Sequence, residues 1–309
     1  MGLHTLRHIT LGAPDVGQTA GFYRDFGLTP VGEGRFATRD GGEQLRLVTR
    51  PTRRLVDMTI GVDDHDDLLR AQSTLHTHGF AARLEADTLA AIEPVTGVLV
   101  RLAVQPPIFQ TGEFEPPSYN SPGKPVRVNT RAEPLQRTEP VRPRKLGHVV
   151  LGSVDLDTTM RFFQHGIGFK ISDQIKDRGS FMRCSTDHHN LLVQNTPVNF
   201  VHHSSWQVED VDEVGRGAST MLEADPARHV WGLGRHHVGS NFFWYLRDPS
   251  GTFAEYYSDL DTILEDQLWQ PEVFEGKHAR YNWGPPPPPS FLRPDDLAEL
   301  MTGAHSPAR

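Results

Sequence analysis

A chain of 309 residues, 37% hydrophobic and 23% charged, is long enough for two modest domains with buried cores and too apolar for wholesale disorder. Its net charge of -8, with no basic stripe to neutralise phosphates, excludes a nucleic-acid partner. One cysteine, Cys184, excludes an internal disulfide and disfavours a thiolate zinc site, and no signal-like or membrane-length apolar run is found, so a soluble cytoplasmic protein with no membrane partner is expected.

The chain opens on an apolar strand pattern, Leu6-Arg7-His8-Ile9-Thr10-Leu11-Gly12, which returns 140 residues later as Leu146-Gly147-His148-Val149-Val150-Leu151-Gly152. Asp15 is then echoed by Asp155, Thr19 by Thr159 and Phe22-Tyr23 by Phe162-Phe163; after a one-residue slip, Gly27 is echoed by Gly168. Each copy predicts a strand, a helix opened by Asp or Ser and a glycine stop before the next strand. Farther on, Gly61-Val62-Asp63-Asp64 parallels Gln207-Val208-Glu209-Asp210, each leading into a helical run, and Gly97 and Gly251 each precede a last strand.

The repeat predicts an α+β fold of two tandem modules, each of paired βαβββ units forming a curved mixed sheet around a central pocket. The first module is expected over 1–104, a Pro-rich linker over 105–144, the second module over 145–260 and a tail packing on it over 261–309. In that tail the five prolines Pro285 to Pro289 predict an extended strap, and Pro294 to Met301 a short capped helix. Trp269, Tyr281 and Trp283 are candidates for a lid or for plain packing of the tail.

Sixteen histidines raise the question of metal or proton chemistry. His148 starts the first strand of the second module, His203 starts the strand before its second helix, and Glu255 lies on its last strand. Spacings of 55 and 52 residues enforce no local cluster, so only the fold can gather them. Gathered, two neutral imidazoles and one carboxylate leave open positions on an octahedral metal, the arrangement suited to non-haem Fe(II) and O2.

The segment from Gly234 to Tyr257 resembles the signature of type I extradiol dioxygenases, in the vicinal oxygen chelate superfamily. It carries Gly234-Arg235-His236, a tyrosine nine residues on (Tyr245) and a glutamate ten residues after that (Glu255). The resemblance implies Fe(II), with Mn(II) as an alternative, held by His148, His203 and Glu255. It also implies that His189 assists O2 chemistry and acts as an acid; spacing to His203 favours it over His188. By the same resemblance Tyr245 hydrogen-bonds a substrate oxygen and His236 contacts or deprotonates a catechol. The implied partners are a catechol-type substrate and O2, in a homo-oligomer.

Aligning the modules sets His8, Asp57 and Arg101 where His148, His203 and Glu255 stand. A permanent cation at the third position predicts that the first module holds no metal. His202 and His237 are expected to be neighbours of functional residues, with surface or supporting roles. Trp206 and Trp244 are expected near the site, forming an apolar pocket for a substituted or bicyclic ring, of biphenyl-diol or cumate-diol type among others. Two other readings stand beside ring cleavage: a non-redox isomerase or epimerase on a divalent metal, and a metal-free small-molecule binding protein.

Overall fold

The computed structural model describes residues 2–112 and 115–303. Its first half runs β1 (Leu3–Ala13), α1 (Val16–Asp25), β2 (Thr29–Gly32), β3 (Arg35–Thr38) and β4 (Gly42–Thr49). The pattern then repeats as β5 (Arg54–Val62), α2 (His65–Thr77), β6 (Ala82–Glu85), β7 (Thr88–Ile92) and β8 (Leu99–Val104). The second half begins with β9 (Lys145–Ser153), α3 (Leu156–Arg161), a π turn (Phe162–Ile167), β10 (Lys170–Ile175), β11 (Gly179–Arg183) and β12 (Leu191–Asn195). It closes with β13 (Phe200–Gln207), α4 (Val211–Ala224), β14 (His229–Arg235), β15 (Phe242–Arg247) and β16 (Phe253–Ser258). The fold is therefore α+β, with the βαβββ unit used four times in two tandem modules, as the repeat predicts.

Aspartates decide where the helices begin. Asp15, Asp64, Asp155 and Asp210 each accept a hydrogen bond from the backbone N–H three residues on, satisfying a donor the helix cannot reach. The strands assemble into two mixed sheets, ordered β2-β3-β4-β1-β5-β8-β7-β6 and β14-β15-β16-β13-β9-β12-β11-β10, the second extended by a tail strand, β17 (Val273–Phe274), beside β10. In each sheet the two βαβββ units join through one antiparallel pair, β1 with β5 and β9 with β13. That junction places the central strands of the second module in the order β16, β13, β9.

The modules share a core. Phe22, Tyr23 and Phe26 at the α1 end pack with Trp206 and Tyr256; the Phe26 and Tyr256 rings stack at 3.8 Å, and the Tyr256 hydroxyl donates to the Phe26 carbonyl at 2.7 Å. The segment joining the modules has little regular structure among its described residues beyond one 3-10 turn (Glu133–Gln136). It ends on Arg144, whose guanidinium ties Asp40 of the first module to Glu209 of the second.

The tail lies against the second module and reaches the first as well. It carries a 3-10 turn (Asp266–Leu268), β17, α5 (Pro289–Leu292) and α6 (Leu297–Gly303). Just before α6, Asp296 forms a forked pair with Arg53 of the first module, at 2.6 and 2.9 Å. The proline strap is also shorter than expected: Pro288 is extended, but Pro289 opens α5, where its missing N–H costs nothing.

Arg53 is 1% exposed, donates also to the Val201 carbonyl and lies 5.1 Å from the centre of the Phe200 ring. It thus joins first module, second module and tail. Arg53→Ala is expected to leave the Val201 carbonyl without its donor and Asp296 without its partner and to cost about 2 kcal/mol. The urea midpoint of denaturation checks this; an unchanged midpoint would show the clamp to be neutral.

Candidate active site

The register of three neighbouring strands builds the site. Ser205 on β13 lies opposite His148 on β9 and opposite Glu255 on β16. His203 precedes Ser205 by two residues, so its side chain leaves the same face of the strand. The middle position of the row, Ser205, is small. His148 and Glu255 can therefore lean toward each other above it, and its hydroxyl donates to Glu255 Oε2 at 2.6 Å.

The result is a tight group. His148 Nε2 lies 3.2 Å and His203 Nε2 3.6 Å from Glu255 Oε2, and one donor atom from each of the three residues falls within 4.8 Å of the others. Glu255 is fully buried and also accepts from Asn241 Nδ2 at 3.3 Å. Burial alone would raise its carboxyl; contacts with His148 and His236, and the nearby His203, outweigh this and hold it below the usual carboxylate range.

Local sequence serves the same end. Gly147 precedes His148 because a Cβ there would collide with the Tyr257 ring. Gly251, with φ of +89°, closes the Asp248-Pro249-Ser250-Gly251 turn that sets β15 beside β16, and with it Tyr245 opposite Glu255.

A metal fits these donors. His203 Nε2 is buried, has no hydrogen-bond partner among the described residues and faces Glu255. Its tautomer is fixed from behind. The Phe291 carbonyl can only accept, so His202 donates to it through Nε2 at 2.8 Å and presents Nδ1 as an acceptor. His203 must then donate from its own Nδ1 at 2.7 Å, which leaves its Nε2 as a bare lone pair. Burial pushes His202 down to about 4 and His203 well below its ordinary value, so both rings are neutral, the state that binds metal. The three residues make a site for a divalent ion.

Around this group opens a cavity of about 1110 Å³ with apolar walls that include Val150, Phe181, Leu192, Val238, Trp231 and Phe291. His189, Tyr245 and His236 line it as well. His189 stands with its ring 4.2 Å from that of His148, whereas His188 sits behind it, away from the cavity. Tyr245 Oη and His236 Nε2 are 2.9 Å apart, and the ring of Tyr245 packs 5.1 Å from that of His203. Burial first, then the Glu255 charge, pushes the Tyr245 phenol up, so it remains a donor.

Two expected pocket residues are elsewhere. Trp206 is fully buried in the common core, its indole donating to Ser204, and Trp244 leans on the same core and bonds His229. Both sit one residue from a cavity-facing position, Ser205 and Tyr245, so the two-residue period of a strand turns them to the other face. The aromatic walls come instead from Trp231 and Phe291, the latter contributed by α5 of the tail. Trp269, Tyr281 and Trp283 do not line the cavity; Trp269 packs on His188, Tyr281 on Trp231 and Trp283 on Phe242. Of the residues that hold Glu255, Ser205 and Asn241 were missed by sequence reasoning. Ser205 alone had a signal, being two residues beyond a metal ligand.

In the first module the same register sets Thr59 between His8 and Arg101. Asp57, the counterpart of His203, lies 3.9 Å from His8 and 3.6 Å from Arg101. A guanidinium thus takes the register position that the Glu255 carboxylate has in the second module.

Residues 145–256 match the family model described as the Glyoxalase/Bleomycin resistance protein/Dioxygenase superfamily. Metapyrocatechase 2 of Cupriavidus necator is 35% identical over 199 residues, which is 64% of this chain and 61% of that protein, so the chain spans less than two thirds of this relative. Biphenyl-2,3-diol 1,2-dioxygenase of Paraburkholderia xenovorans is 25% identical over 292 residues, 87% of this chain and 91% of that one. Among solved structures, a Mn(II)-bound glyoxalase from Novosphingobium aromaticivorans superimposes with a TM-score of 0.74 at 24% identity, covering 93% of each chain; that likeness is one of fold.

Proposed function

We propose that this chain, whose residues 145–256 match the glyoxalase/bleomycin resistance protein/dioxygenase superfamily, is an extradiol dioxygenase, opening a substituted catechol with O2 beside its two hydroxyls. The observation that carries the reading is a conjunction: His148 and His203, gathered with the buried Glu255, line one cavity together with His189 and the Tyr245–His236 pair. A non-redox isomerase would need the three donors but has no evident use for the other three groups. A metal-free binding protein would not need His203 Nε2 bare and aimed at a buried carboxylate.

A divalent metal at these donors, Fe(II) in our reading with Mn(II) as the alternative, would bring catechol oxygens and O2 to one centre and pass ring electrons to O2. The protein supplies binding and proton control. The Arg280 carbonyl fixes His236 with its proton on Nδ1, so Nε2 accepts, and the Tyr245 hydroxyl donates to it. A catechol hydroxyl arriving at this pair can give its proton to His236 Nε2, while Tyr245 turns to donate to the resulting oxygen. The walls formed by Phe181, Leu192, Trp231 and Phe291 favour an aromatic ring.

The test is O2 uptake by protein reconstituted anaerobically with Fe(II), offered a panel of single-ring and bicyclic catechols. Stoichiometric O2 consumption with a yellow ring-opened product is expected. Binding of about one metal per chain with no O2 uptake on any catechol would turn the assignment to the non-redox reading.

A further inference from the structure

Behind His189, on the side away from the metal donors, lies a chain of groups that touches neither metal nor substrate. His188 places Nδ1 3.0 Å from His189 Nδ1 and Nε2 2.9 Å from Asp173 Oδ2. Both His188 and Asp173 are buried. The tail holds the far end: the Glu272 backbone N–H donates to Asp173 Oδ1 at 2.8 Å, and the Trp269 indole donates to the Ser172 carbonyl at 2.8 Å while its ring packs on His188. The pairing of β17 with β10 fixes this segment against the sheet.

One placement of protons satisfies every contact of the chain without adding a charge to either ring. A carboxylate only accepts, so His188 carries its proton on Nε2 and offers Nδ1 as an acceptor. His189 must then donate from Nδ1, and its Nε2 is left as a lone pair for the cavity.

The construction repeats the one behind His203, with one difference that matters. There the terminal acceptor is the neutral Phe291 carbonyl, suited to a ring that must stay neutral to bind metal. Here it is a charged carboxylate, which favours the positive ring formed when His189 takes a proton.

We propose that Asp173 and His188 are positioning residues that fix the proton of His189 on Nδ1, so that His189 enters the reaction as a proton acceptor, and that the tail segment 269–274 holds this relay in place. The proposal rests on the ring-cleavage reading for its use of His189. In the step it serves, an O–H bond of the substrate breaks, an Nε2–H bond forms, and no electrons are gained or lost. The Asp173 carboxylate, two bonds away through His188, offsets the charge.

Asp173→Asn tests it. With the asparagine oxygen kept by the Glu272 N–H, its NH2 faces His188 Nε2, which must now accept. Each proton in the chain then shifts to the other nitrogen, and His189 presents an N–H to the cavity instead of a lone pair.

Long-range 15N–1H spectra of the full-length, metal-free protein labelled at histidine read the tautomers directly, with His189→Gln assigning the signals. The expected result is an Nδ1–H tautomer at position 189 in the unmodified protein and an Nε2–H tautomer in Asp173→Asn. The catechol turnover number of the variant should fall about 10²–10⁴-fold, with KM and metal content unchanged.

An Nε2–H tautomer at His189 in the unmodified protein overturns the proposal whether or not any variant folds. Turnover by a well-folded Asp173→Asn protein at the unmodified rate overturns it as well. The tautomer measurement needs no catalysis, so a failure of the dioxygenase reading would show separately, as absent O2 uptake.

Discussion

Glu255→Gln is expected to yield a folded protein that no longer retains one divalent metal per chain and cleaves catechols at least about 10³-fold more slowly, equivalent to about 4 kcal/mol. Shape is nearly conserved, and the side-chain oxygen can still accept from the Ser205 hydroxyl. What disappears is the one negative charge among the three donors. His148 Nε2 and His203 Nε2 then converge on a neutral amide, which offers a divalent ion little compensation for the water it loses. Metal content after dialysis, circular dichroism and O2 uptake check the three parts. Full metal retention would remove Glu255 from the ligand set.

His189→Gln separates proton chemistry from metal holding. Glutamine keeps a polar group near the same place but cannot take and return a proton. Burial, together with the neighbouring histidines His148, His188 and His236, pushes the His189 imidazole well below its ordinary value, so the native ring is neutral and free to accept. The turnover number is expected to fall about 10²–10⁴-fold while metal stoichiometry is unchanged and KM moves only a few-fold. A variant that loses its metal instead would make His189 a ligand, and one with native turnover would leave the cavity without its acid and base. The two substitutions therefore fail in different assays, which is what distinct roles require.

The counterpart residues of the first module show why the fold alone does not make a site. Both halves place three residues in equivalent positions of the same register, His8, Asp57 and Arg101 in one and His148, His203 and Glu255 in the other. Only the second set offers three donors free of a competing cation. The first module contributes instead through packing, in the Phe26–Tyr256 stack and the Arg53–Asp296 pair.

Much of this was determined by the amino-acid sequence. The repeat of Leu6-Arg7-His8 in Leu146-Gly147-His148 set the tandem α+β modules, because strand and helix periodicity and the aspartate caps are local properties. The ligand types at His148, His203 and Glu255 were legible for a similar reason: each stands at a recognisable place in its own strand. Tertiary structure decided the rest. The turn between β11 and β12 sends His189 to the cavity and His188 behind it, and on β13 and β15 the alternation of neighbouring residues turns Trp206 and Trp244 away. The supporting partners are farther out of reach for local reasoning. Asp173 meets His188 through pairing of β10 with β11 and β11 with β12, and Phe291 reaches His202 across 89 residues of chain. Such contacts depend on which surfaces the tail finds buried together, and only the folded chain creates those surfaces.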